Sequence, residues 1–211
     1  MEQPKIDEDY LNKASFFDIY NDEDLMLQNV QLKNELIEDQ TIQHPIMEQV
    51  VLEHLTFSEC DFEKADFSDV IFKNCDLSNC NFADSSLFRI EFRNCKMIGI
   101  NFDGSYLNNV VFQNSMMDLG NFNRLNLKVV HFLDSSLKDV SFDENKLAKV
   151  VFKNCNLNEM RVWQTKLKGL DFSSCQFETI ELDQESVRGL KVNTDQAAYL
   201  ASYYLGLKVT Y

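Results

Sequence analysis

The sequence predicts an all-β chain wound as a four-sided solenoid, with parallel ladders between successive coils and one helix closing its C-terminal end. Three observations predict it. Every fifth residue from Leu52 to Val192 is apolar, without exception or insertion. Written in rows of four pentads, these apolar positions sort into columns of like residues. After Val192 the pentads stop and apolar residues recur at helical spacing instead.

A period of five fits neither the 3.6 of an α-helix nor the 2.0 of a flat strand. Phe62, Phe67, Phe72, Leu77, Phe82 and Leu87 show the central inward position, and a smaller side chain such as Cys75, Cys80, Ser85 or Ile90 lies two residues before each. The remaining three residues of each pentad are mainly Asp, Asn, Ser, Lys and Glu, which favour turns and solvent. A chain that turns two of every five residues inward must coil, and each pentad forms one side of the coil. Phe72, Phe92, Phe112, Phe132, Phe152 and Phe172 share a column, as do Val50, Val70, Ile90, Val110, Val130 and Val150. The resulting 20-residue superperiod is what stacking of like on like imposes, so the coil has four sides. At about 4.8 Å per coil, the regular part forms a rod of roughly 35–40 Å. The phase extends back through Met47, Ile42, Ile37 and Leu32, although the accompanying inward partners Glu35, Gln40 and Pro45 suit an interior poorly. The solenoid is therefore assigned to residues 25–192, regular from about 50.

Segments such as Cys75-Asp76-Leu77-Ser78-Asn79, Cys80-Asn81-Phe82 and Ala65-Asp66-Phe67-Ser68 resemble the motif of the pentapeptide repeat family: a central Leu or Phe, a small residue two before it, and Asp or Asn between. The resemblance implies a right-handed quadrilateral β-helix, the hand that parallel crossover connections adopt. Ile71-Phe72-Lys73-Asn74-Cys75-Asp76-Leu77-Ser78, Ile90-Glu91-Phe92-Arg93-Asn94-Cys95 and Arg188-Gly189-Leu190-Lys191-Val192 are similar to segments of the Qnr quinolone-resistance group within it. That narrower likeness implies a duplex-shaped protein that binds DNA gyrase and topoisomerase IV, inhibiting them or protecting them from quinolones. It also implies a bacterial cytoplasmic protein that pairs end to end as a homodimer. Many Qnr proteins carry two loops inserted into their coils, and this chain runs from residue 50 to 192 without one.

Residues 1–24 are strongly acidic, and Tyr10, Leu11, Ala14, Phe16 and Phe17 suggest a short helix. This segment reads as an acidic tail, as a cap over the first coil, or as a partner-binding arm. Residues 193–211 read as a helix and a short strand. Asn193 and Gln196 form a capping box, Gly206 is a C-terminal stop, and Leu207, Val209 and Tyr211 alternate as a strand would. The helical stripe Ala197, Leu200, Ala201, Tyr204 and Leu205 is the expected dimer interface.

A net charge of −14 argues against nucleic acid and against an anionic membrane surface as partners. No apolar run is long enough to span a membrane. All six cysteines fall at the small inward position and read as buried packing thiols. With no C-x-x-C pair, no H-E-x-x-H and no glycine-rich phosphate loop, no catalytic, metal-binding or cofactor-binding residue is expected. The charge is unevenly placed. The two adjoining sides centred on Phe82 and on Leu77 are acidic, and the side centred on Leu87 is basic. Asp61, Glu63, Asp84, Asp103, Asp118, Asp143 and Glu144 mark the acidic edge, and Ile98, Met116 and Leu119 form an apolar patch on it. Together they are the candidate partner-binding surface.

Overall fold

The computed structural model describes residues 1–210. Its strands are β1 (Asn12–Lys13), β2 (Met26–Lys33), β3 (Leu36–Glu38), β4 (Ile46–Glu53), β5 (Thr56–Ser58), β6 (Asp66–Lys73), β7 (Ser86–Arg93), β8 (Tyr106–Gln113), β9 (Asn126–Leu133), β10 (Lys146–Ala148), β11 (Val151–Lys153), β12 (Arg161–Val162) and β13 (Glu181–Leu182), followed by helix α1 (Thr194–Leu205). All pairings are parallel, and from β2 onward each joins a residue to the one 20 positions on, as in Val50 with Val70 and Phe72 with Phe92. The chain is thus a four-sided parallel β-helix with a terminal helix, beginning a coil earlier than the regular pentads and reaching about 40 Å at ~4.8 Å per coil.

Each corner is made by one residue with left-handed backbone. The third outward residue of the pentad has φ between 50° and 62° at nearly every corner, from Leu25 to Gln164. This explains the outward chemistry, because Asn, Asp and Gly tolerate that region best. Asn74, Asn79, Asp84, Asn94, Gly99 and Gly104 are corners. Between corners the backbone donates along the rod axis to both neighbouring coils: the Phe62 amide to Asn81 O at 2.8 Å, and the Asn81 amide to Cys60 O at 3.0 Å. Buried backbone groups are thereby satisfied without continuous strands on the two sides that carry mainly isolated bridges, with the short pairs β3–β5 and β12–β13 at their ends.

The interior is a set of stacked columns. Phe72, Phe92, Phe112, Phe132 and Phe152 lie face to face with centroids 4.8, 4.9, 5.0 and 4.7 Å apart, which is the coil rise itself. The small inward residues do more than fill space. Asn145 accepts the Leu125 amide at 2.7 Å and donates to Phe122 O at 2.9 Å, and Thr165 in turn accepts the Asn145 amide at 2.9 Å. Cys75, Cys95 and Cys155 donate their thiols to carbonyls of the preceding coil. All six cysteines are free and buried. The stacked thiol on an adjacent coil (Cys60, Cys75 and Cys175 respectively), and then burial, push Cys80, Cys95 and Cys155 well above the usual thiol range. As protonated donors they are packing groups.

Both ends are covered. At the first coil, the expected short helix is instead two 3₁₀ turns, Glu8–Tyr10 and Phe16–Asn21, with β1 between them. Phe16 and Ile19 are fully buried over the coil, and Phe16 meets Phe57 edge to face at 5.5 Å. The ill-suited inward residues now have a role: Glu35 accepts from Ser15 Oγ and the Phe16 amide, both at 2.9 Å, and Gln40 accepts from Tyr20 Oη at 2.6 Å. At the other end the last coil departs from the pentad. Glu185 turns outward and Ser186 takes its inward place, because Asp183 gathers the Glu185 and Ser186 amides into a tight turn.

α1 then closes the rod. Asn193 and Gln196 form the expected capping box, and Gly206 ends the helix at φ 64°. Gln196 Nε2 donates to Phe172 O and Cys175 O, Tyr199 Oη donates to Ile180 O, and Tyr204 Oη donates to Leu182 O. The expected C-terminal strand is not formed by Leu207 and Val209, which lie outside any strand and are exposed, since among the described residues none pairs with them in a ladder. Tyr211 lies outside the described residues. Among the described residues, no helix is long and apolar enough to cross a membrane.

Candidate protein-binding faces

The acidic residues expected to form one edge do lie on two adjoining sides, but the rod's own hydrogen bonds engage most of them. Asp61 accepts the Glu63 amide at 3.1 Å and Asn81 Nδ2 at 2.8 Å. Glu63 pairs with Lys64 at 2.8 Å, and Asp103 forms a forked pair with Arg124. Asp118 accepts Ser136 Oγ and the Lys138 amide, while Asp143 holds Arg161 and the Trp163 amide. Each of these carboxylates joins neighbouring residues or coils and is only half-exposed. Asp84 and Glu144 remain: both occupy exposed corners, and among the described residues neither carboxylate has a hydrogen-bond or ion-pair partner.

Asp76, which the sequence did not single out, behaves like the engaged group. Burial opposes its ionisation, but Ser78 and Lys96 outweigh that and hold its carboxyl below the usual range. The signal was available, since Lys96 follows Asp76 by one coil. Only the four-sided winding makes that separation a contact.

The apolar patch is present. Met116 is 44% exposed, Leu119 is 63% exposed, and Ile98 is half-buried on the preceding coil. Leu119 is also a corner, with φ 62°. A leucine in left-handed backbone pays a conformational cost that Asn or Gly would avoid, and gains no burial for it. Strain without packing is a reason to look for a role in contact.

The expected dimer stripe does not form one free surface. Leu200 is only 9% exposed and belongs to the cap, and Ala201 and Tyr204 are half-buried against the last coil. Ala197 and Leu205 face outward, Leu205 at 70% exposure beside exposed Tyr203, Leu207 and Val209. The physical reason is that an open solenoid end must be covered, and the helix uses its most apolar residue to do so. Among the described residues no group of three or more His, Cys, Asp or Glu side chains is placed to hold a metal.

A model of the Pentapeptide repeat region matches residues 45–122, 85–160 and 125–200, overlapping to span most of the chain. The chain belongs to the pentapeptide repeat family. Among solved structures it is similar to a trypsin-treated variant of QnrB1, a plasmid-mediated fluoroquinolone resistance protein, with 23% identity, 88% of this chain and 99% of that one covered, and a TM-score of 0.49. It is also similar to HetL, a pentapeptide repeat protein involved in heterocyst differentiation regulation from the cyanobacterium Nostoc, with 10% identity, 80% and 92% coverage, and a TM-score of 0.38. No curated protein sequence matches the chain.

Proposed function

We propose that this pentapeptide repeat protein is a non-enzymatic binder of a type II topoisomerase, DNA gyrase or topoisomerase IV, occupying the enzyme's duplex-binding surface as a DNA mimic. The observation that carries the reading is the acidic pair of adjoining sides on a straight rod about 40 Å long, together with the Qnr-like segments around Phe72 and Phe92. Because the rod's own contacts neutralise much of the acidic edge, the mimicry rests on shape, on exposed Asp84 and Glu144, and on the Met116 and Leu119 patch. Two rods paired through the exposed C-terminal face would span both halves of a two-fold symmetric enzyme.

The test is gyrase supercoiling and cleavage-complex formation over a titration of the protein, with and without ciprofloxacin. The expected result is inhibition of supercoiling or relief of the drug's effect, with no turnover by the protein itself. If neither occurs at any concentration, the alternative stands: an interaction scaffold of the same fold with an unrelated partner, since the fold hosts more than one role.

A further inference from the structure

The basic side of the rod has two halves, and only the first is occupied. The N-terminal arm lies along the corner column Gln49, Asp69, Arg89 and Asn109. The Lys5 amide donates to Asp69 Oδ1 at 2.8 Å, the Glu2 amide donates to Asn109 Oδ1 at 2.7 Å, and Gln49 Nε2 donates to Lys5 O at 3.2 Å. From Lys5 to Glu2 the arm climbs two coils, about 9.6 Å, which three extended residues span at ~3.3 Å each. Its acidic side chains meet cations: Glu8 pairs with Lys73 at 2.8 Å, and Glu2 approaches Arg89 at 3.8 Å. This part of the rod therefore binds an extended acidic segment, lying along the axis and held by corner side chains.

Beyond Asn109 the same column continues through Val129, Lys149, Gly169 and Gly189. Beside it stand Lys128, Lys146, Lys166, Lys168 and Arg188. With Lys149 these are exposed, and among the described residues none of their side chains has an ion-pair or hydrogen-bond partner. Elsewhere on the coils most cations are paired, as Lys33, Lys64, Lys73, Lys96, Lys138 and Lys191 show. The flanking acids, Glu144 and Glu185, are on the border of this surface. In a chain of net charge −14, a group of free cations on four successive coils is a local reversal of sign. At Gly169 a Cβ would meet nothing within 4 Å, and the Lys168 stem packs against Gly189, its Cγ 3.0 Å from where a Cβ there would sit.

We propose that this second half is a docking track for an extended acidic peptide segment of a partner protein, laid along the axis in continuation of the arm. The charge complementarity and the continuity with the arm's own seat fix the occupant as peptide. Duplex DNA, with one charge per about 1.7 Å, is repelled by the rod's overall charge far more strongly than a segment of a few acidic residues that meets only the local cations. The track from Val129 to Gly189 covers three coil steps, about 15 Å, the reach of about five extended residues.

The test is fluorescence anisotropy of the full-length protein with a labelled octaglutamate peptide, an octalysine control and a labelled 12-base-pair duplex. Binding of octaglutamate alone is expected, weakening about tenfold or more as salt rises from about 50 to 300 mM. Lys146→Glu, Lys149→Glu and Lys168→Glu together should abolish it. The corresponding Gln triple should weaken it, and Lys64→Glu with Lys96→Glu should leave it unchanged, with melting curves confirming that each variant is folded. No octaglutamate binding at low salt, binding indifferent to the Glu triple, or tighter binding of the duplex would overturn the proposal.

Discussion

At the scale of single residues, the small inward position carries more than its size suggests. Asn145 satisfies both a buried amide and a buried carbonyl of the preceding coil. Asn145→Ala strands both groups, each at about 1–3 kcal/mol, so a loss of about 2–6 kcal/mol is expected in chemical denaturation. Leu119 makes the opposite case. Leu119→Asn relieves left-handed strain and should hold or raise the melting temperature while weakening topoisomerase inhibition. A variant that inhibits as well as the parent would remove the patch from the binding surface. The sequence marked Leu119 as exposed and apolar, but not as a corner. The corner was legible as Asn, Asp or Gly at the third outward position, a signal visible once the left-handed backbone is known.

At the scale of elements, the amide ladder on the Phe82 side runs from Asn101 Nδ2 to Asn81 Oδ1 and from Asn81 Nδ2 to Asp61 Oδ1, each at 2.8 Å. It ends at Asn101; on the next coil the Asn121 Oδ1 is buried without a hydrogen-bond partner, and Ser141, one coil further, accepts from Arg161 Nη2 at 3.2 Å instead. Ser141→Asn should bring an amide donor to the Asn121 Oδ1 and raise the melting temperature by a few degrees, equivalent to about 1 kcal/mol. The N-terminal arm is an element that no periodicity announced. Its anchor, Asp69, is buried, and burial opposes ionisation. The paired Arg89 and the Lys5 amide outweigh this and lower its carboxyl below the usual range. A depressed carboxyl contributes its stabilisation above the unfolded value and loses it as pH falls through the folded one. Hydrogen exchange of the Lys5 amide should therefore be slow, after correction for intrinsic rates, from neutral pH to about 4, and should rise below that. Asp69→Asn should remove this step, and a step that persists in the variant would assign it to another group.

At the scale of the whole molecule, the rod's ends differ in finish. The first is plugged by Phe16 and Ile19, whereas the last leaves Tyr203, Leu205, Leu207 and Val209 exposed beyond the cap. Pairing through that face predicts a mass near twice 24.6 kDa in light scattering, falling to the single value in Leu205→Asp. Leu200→Asp is the wrong probe, because Leu200 holds the cap and its change would melt the end of the rod. A concentration-independent mass of one chain in the parent protein would exclude the dimer.

The sequence by itself determined the winding. Five-residue turns are local, and stacking of successive coils requires like residues 20 apart, so the four sides, the Phe72 to Phe152 column and the buried cysteines are written in periodic form. It also determined the sign of each side, since every outward position is assigned once the register is known. Only the tertiary structure decided which charges are free. Asp103 with Arg124, Asp143 with Arg161, and the arm with a corner 107 residues away are contacts between specific side chains, outside any period. The same holds for Leu200, whose helical spacing identified an apolar stripe but could not say whether the last coil or a partner would cover it. That choice belongs to the solenoid's open end, whose exposed core and backbone take the nearest apolar face of the same chain.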